Sequence, residues 1–190
     1  MTAKKPRPRS RAGGKPKASH GSLRPRKPKA PEALQDFVDV VASLNAARAR
    51  FLVVGAYAMA AHGVPRATGD LDVWVEPTEE NGPRVFEALA RFGAPLQALG
   101  ITLRDLLAPG VVCQIGLPPR RIDITTVIDG VEFTEAWEER LEGSLGPVRL
   151  SYIGREALIR NKEAAGRAKD LADLELLRRP GGEKSGRNPR

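Results

Sequence analysis

Three aspartates carry the chemistry this sequence could perform. Asp70 and Asp72 stand two apart in Asp70-Leu71-Asp72-Val73-Trp74-Val75, and Asp123 is flanked by Ile122 and Ile124 in a second apolar run. In an extended strand, side chains i and i+2 point to one face, about 7 Å apart along the backbone. Asp70 and Asp72 therefore project together, and Asp123 joins them if its strand is a neighbour. Three carboxylates in one place repel unless a cation sits among them or some are protonated. Hard oxygen donors without His or Cys favour Mg2+ or Mn2+, completed by substrate phosphates. Metal held in this way would activate an acceptor hydroxyl and stabilise a leaving pyrophosphate, which is what nucleotidyl transfer requires. A bare Asp-x-Asp also occurs on solvated strand edges, so the pair takes its meaning from its surroundings.

The elements that must position these groups can be read from the apolar pattern. Leu34, Phe37, Val38, Val41 and Leu44 recur at helical spacing, which predicts a first amphipathic helix over 32–47. Phe51–Val54 reads as a short strand ended by Gly55, with a small-residue helix over 56–62 directly after it. A glycine at a strand-to-helix turn lets the backbone approach a phosphate, and a helix start favours negative charge. Gly63–Gly69 is a loop, and the Asp-x-Asp strand follows it. Thr78 with Glu79 and Glu80 predicts a helix start, and Gly93 closes that helix. Leu103–Leu107 reads as a short helix. Val111–Ile115 and Arg121–Val127 read as an antiparallel hairpin, because only a short Gly- and Pro-containing connection separates them. Thr134–Glu142 is predicted as a helix and Val148–Ile153 as the last strand. One or two helices around Gly166 follow, over 154–178. This order predicts an α/β (α+β) domain, a mixed sheet with helices packed on it.

Charge divides the chain differently. Residues 1–30 hold eleven Lys or Arg, five Pro and no acidic residue, and Met1 and Leu23 are their only large apolar side chains. The formal charge of +8 belongs to this segment, since 31–190 holds 20 basic against 23 acidic residues. So little apolar surface cannot offset the entropy of ordering, so 1–31 is expected to be a disordered basic tail ahead of a domain over 32–178, with a second tail over 179–190. The first tail suits sequence-independent contact with RNA through its phosphates, or simply solvation. It has no aromatic residue to stack on bases. Cys113 is the single cysteine, which rules out an intramolecular disulfide. No secretory signal or membrane-length apolar run is evident, and the cytoplasm is the expected compartment.

With these residues in view, the chain resembles the nucleotidyltransferase superfamily that includes DNA polymerase beta. It is most similar to the small AbiEii-like nucleotidyltransferases of bacterial toxin–antitoxin systems. The matching blocks are Val54-Gly55-Ala56, Arg66-Ala67-Thr68-Gly69-Asp70-Leu71-Asp72, Arg121-Ile122-Asp123-Ile124, and the run from Asn161-Lys162 to Lys169-Asp170-Leu171-Ala172-Asp173. Together they cover roughly residues 50–178. The resemblance implies a Mg2+-dependent enzyme that moves a nucleoside monophosphate from a nucleoside triphosphate to RNA, such as tRNA, or to a protein. Asp70 and Asp72 would bind metal and triphosphate, and Asp123 would complete the site and help deprotonate the acceptor. Gly55 would contact phosphate, Lys162 would neutralise it, and Asp170 would orient Lys162 or the acceptor. A cognate toxin or antitoxin partner is part of what the likeness implies.

Two departures accompany the likeness. Many relatives have a second Gly or a Ser where this chain has Ala56, which removes a side-chain phosphate contact. The superfamily's loop serine is also missing, leaving Thr68 as the nearest hydroxyl. These departures motivate a second reading, a nucleotide- or RNA-binding protein of weak activity that keeps the fold for interaction. Among lesser candidates, Arg66 could reach a triphosphate or simply be solvated. Trp74 shares the aspartate face but is expected to pack, and Trp137 with Leu141 is expected in the core. Lys162 and Lys169, seven apart, could share a helix face.

Overall fold

A computed structural model describes residues 32–178. The expectations for 1–31 and 179–190, including an RNA-binding arm, lie outside the described residues. The described residues build a six-stranded mixed sheet and seven helices. Strand β1 (Phe51–Val53) leads into α2 (Gly55–Ala61), and β2 (Asp70–Val75) returns antiparallel beside β1. β4 (Arg121–Thr125) lies parallel to β2, and β3 (Val112–Ile115) pairs antiparallel with β4 as the hairpin pattern predicts. On the far side, β6 (Val148–Tyr152) runs parallel to β1 and carries β5 (Leu141–Leu145) antiparallel at the edge. The order is β3-β4-β2-β1-β6-β5.

The helices follow the apolar spacing closely. α1 (Glu32–Ala46) buries Phe37, Val40, Val41 and Leu44 and packs against α3 (Asn81–Phe92). α4 is Leu103–Leu107, α5 is Phe133–Glu138, α6 is Arg155–Ala165 and α7 is Ala168–Arg178. No described helix is long and apolar enough to cross a membrane.

Two boundaries correct the sequence reading. α3 begins at Asn81 rather than Thr78, because Thr78 acts as a turn ahead of the helix: its carbonyl accepts from Asn81 N and Gly82 N, and its hydroxyl accepts from Asn81 N. The helix predicted over Thr134–Glu142 stops at Glu138, and Leu141 and Glu142 open strand β5 instead. Gly146, in a left-handed turn (φ 58°) before Pro147, folds β5 back onto β6. Leu141 is therefore an exposed edge residue. Trp137 is only partly buried, and the guanidinium groups of Arg50 and Arg140 lie over its ring, at 4.8 and 4.3 Å from the centroid.

Alternation along β2 and β4 sorts the sheet's central faces. Leu71, Val73, Ile122 and Ile124 are essentially inaccessible, whereas Asp70, Asp72, Arg121 and Asp123 point the other way and stay half-buried. Trp74 continues this second face but is buried. It packs edge-to-face on Phe133 with ring centres 5.0 Å apart, and its indole N–H donates to the Thr126 carbonyl. The polar face thus ends against α5, as the packing expectation for Trp74 required.

Candidate active site

The two aspartate strands are neighbours, which meets the condition on which Asp123 joins the Asp-x-Asp pair. β2 and β4 are parallel neighbours, with Asp72 opposite Asp123 and Asp70 opposite Arg121. The residue facing Asp70 is thus a cation, two positions before Asp123 and on the same face. Arg121 Nη2 lies 2.5 Å from Asp70 Oδ2 and 3.0 Å from Asp123 Oδ2. The other oxygen of Asp70, Oδ1, accepts from the Thr68 hydroxyl. Asp123 Oδ1 is buried without a hydrogen-bond partner. Burial pushes the Asp72 carboxyl above its ordinary value, and the charges of Asp70 and Asp123 push it in the same direction; Lys169 and Arg121 oppose them. On α2, the Tyr57 hydroxyl is also pushed up, by burial first and by Asp70 second.

Gly55 stands where β1 turns into α2, at φ 61°. A Cβ there would overlap the Asp72 carboxylate, so the glycine is needed twice, for its backbone conformation and for the approach of Asp72. Val54 N donates to the Asp72 carbonyl at 3.0 Å and fixes the turn against β2. Ala56 is buried and turns no side chain into the cleft.

Opposite this wall stand the last two helices. Gly166, left-handed at φ 59°, ends α6 and lets the chain start α7. Lys162 and Lys169 therefore belong to different helices, not to one helix face, yet both border the same cavity. Lys162 is buried, with Nζ 3.0 Å from Asp170 Oδ1 and 2.6 Å from Asp173 Oδ2. Arg66 Nε is 3.8 Å from Asp173 Oδ2, and Arg167 Nε is 3.8 Å from Asp170 Oδ2. Between the walls lies a cavity of about 400 Å³, bordered by Gly55, Arg66, Asp72, Asp123, Lys162 and Asp170 among others. Asp70 and Thr68 sit beside it and off its lining.

The structure thus gathers Gly55, Arg66, Asp72, Asp123, Lys162 and Asp170 around one space, with Asp70 held next to it by Thr68 and Arg121. Sequence reasoning gave no role to Arg121 or Asp173. Both stand in the matching blocks, and for Arg121 the usable signal was its i−2 position to Asp123 within one strand. Among the described residues, no group of three His, Cys, Asp or Glu side chains is placed to hold a metal ion by itself. Asp72 and Asp123 are in-register oxygen donors, one with an unpartnered buried oxygen, and they could provide part of a hard-cation site that ligand oxygens complete. No protein-family model matches this chain, and no curated protein matches it in sequence.

Proposed function

We propose that this α/β domain is a divalent-metal-dependent nucleotide-binding protein whose cavity takes the triphosphate. Its activity on this reading is nucleotidyl transfer, moving a nucleoside monophosphate from a nucleoside triphosphate to a hydroxyl of RNA, such as tRNA, or of a protein. The observation that carries it is the in-register pair Asp72 and Asp123 beside the Gly55 turn, facing Lys162 and Arg66 across one cavity.

Mg2+ or Mn2+, held by Asp72 and Asp123 with Asp70 beside them, would supply charge neutralisation at the phosphates. The chain's own groups do the rest. The Gly55 turn, bare of a side chain, lets the Asp72 carboxylate lie against the backbone at the edge of the cavity. Arg66, Arg167 and Lys169 border the cavity as exposed cations that offset triphosphate charge, while Lys162 is held in place by Asp170 and Asp173. The acceptor oxygen bonds to the α-phosphorus, the α–β bridging bond breaks, and pyrophosphate leaves. Asp123 Oδ1, which has no other partner, takes the acceptor proton. A cognate partner protein, toxin or antitoxin, belongs to this reading through family resemblance alone.

A second reading is favoured by one specific observation. Arg121 already bridges Asp70 and Asp123 and offsets part of their charge, so the fold can keep its carboxylates without metal, as a binding protein of weak activity would. Incubation with Mg2+ and each α-labelled ribonucleoside triphosphate, with total RNA and cell lysate as acceptors, separates the two. The transfer reading expects label on RNA or protein with the wild type and only background with Asp70→Asn/Asp72→Asn. Binding that the double variant leaves unchanged, without transfer by either protein, supports the second reading.

A further inference from the structure

We propose that Arg121 is an internal competitor for the divalent cation: its guanidinium bridges Asp70 and Asp123 in the free protein and must be displaced when metal binds. This rests on the metal-dependent reading above and adds an order of events to it.

Strand register sets up the bridge. Arg121 lies directly opposite Asp70 on a parallel neighbour and shares a face with Asp123 two residues on. One nitrogen, Nη2, reaches both carboxylates, at 2.5 and 3.0 Å. A guanidinium suits this because it is planar, permanently charged and weakly hydrated, so it can tie two carboxylates in a half-buried place. Lys162 cannot take this part, since its ammonium is held by Asp170 and Asp173 on the opposite wall. An incoming cation therefore competes with a charge already seated between two of its three carboxylates. The arginine side chain is 28% exposed and has room to leave. A triphosphate offers the displaced guanidinium new oxygen acceptors, so nucleotide makes displacement easier. Metal and nucleotide then bind cooperatively, and metal alone binds weakly.

The test is Mn2+ binding by the full chain, read by electron paramagnetic resonance of free Mn2+. It is run without nucleotide and with a non-hydrolysable α,β-methylene triphosphate, with circular dichroism to check folding. Arg121→Gln is expected to bind Mn2+ alone on the order of tenfold more tightly than wild type, the scale at which groups around a metal site tune affinity. It should also lose most of the tightening that the analogue confers on wild type. Arg121→Lys keeps the charge but puts a strongly hydrated ammonium on a flexible stem in place of the weakly hydrated guanidinium, so it should seat less firmly between the carboxylates and tighten Mn2+ binding too, by less. Arg121→Lys equal to wild type would overturn the bridge, even with Arg121→Gln tighter, and this variant carries the test if Arg121→Gln does not fold. Arg121→Gln equal to wild type or weaker, with Asp72→Asn still reducing Mn2+ binding, would overturn competition and leave the metal reading standing. Mn2+ binding indifferent to Asp72→Asn in every protein would sink both.

Discussion

Just beyond the C-terminal end of β2, Glu76 is buried and meets Arg50 Nη1 at 3.1 Å, and Asn81 closes the surroundings. The Asn81 side chain accepts from Arg50 N at 2.7 Å and donates to the carbonyls of Arg50 and Glu76 at 2.9 Å. Arg50 Nε has no hydrogen-bond partner, but the guanidinium lies over Trp137. At the N-terminal end of the same strand, Asp70 and Asp72 share three carboxylates' worth of charge with Asp123, one guanidinium is seated between two of them, and an Asp123 oxygen is unpartnered. A buried charge is tolerated when it is matched, and at the Glu76 end the one buried carboxylate has its own cation. The Asp72 end breaks this rule beside a cavity. Under-matched buried charge costs stability, and it survives where it serves a ligand.

Breaking the matched end should cost most. Asn81→Ala removes three side-chain hydrogen bonds and leaves the Arg50 N–H without a partner, while the Arg50 and Glu76 carbonyls keep only the N–H groups of Glu76 and Thr78. Urea denaturation should show a loss of about 2–4 kcal/mol. An effect under about half a kcal/mol, the ordinary range for an unimportant surface site, would erase the contrast between the ends.

Gly55→Ala should act at the other end with a smaller penalty, about 1–2 kcal/mol from the left-handed backbone alone. Gly63→Ala is the control, because Gly63 also has positive φ (83°) and a methyl added there meets nothing within 4 Å, whereas a methyl at Gly55 meets Asp72. The excess of Gly55 over Gly63 in chemical denaturation measures the Asp72 approach. Equal losses would mean that the carboxylate simply swings aside.

The smallest effect has the opposite sign. The Asp72 carboxyl is held above its ordinary 3.8 in the folded protein, so folding favours its protonated form. That contribution is complete below the unfolded value and disappears as pH rises through the raised folded value. Asp72→Asn cannot ionise, so with a chelator present it should be more stable than wild type at neutral pH, by about 2 °C in Tm. The gain should vanish in acid below pH 3.8. A variant less stable than wild type at neutral pH would mean that the site is as well matched as the Glu76 end.

Sequence pattern was most informative where burial is one-sided. Leu71, Val73, Ile122 and Ile124 alternate with charged residues, and that alternation alone sets which face the aspartates share. Adjacency of β2 and β4 was not readable, because a parallel pairing comes from the whole sheet's topology. β5 was missed for a related reason. Leu141, Glu142, Gly143, Ser144 and Leu145 form an edge strand with a weak apolar face, and only Leu145 among them is buried. Its signal lay in the Gly146-Pro147 turn instead. Within the cavity, the carboxylates could be anticipated from spacing, whereas the Arg121 bridge depends on a cross-strand register and Asp173 on the turn at Gly166.

The position of β1 sets a timetable for synthesis. This inner strand pairs with β2 soon after it emerges, but its other edge waits for β6, where Val53 meets Tyr152. In chain order, the strands that carry Asp70, Asp72 and Asp123 all precede α6 and α7. Lys162, Asp170 and Asp173 arrive last. The acids of the cleft are therefore synthesised before the wall that holds Lys162, and Arg121, the counter-charge seated on two of them, is synthesised with them.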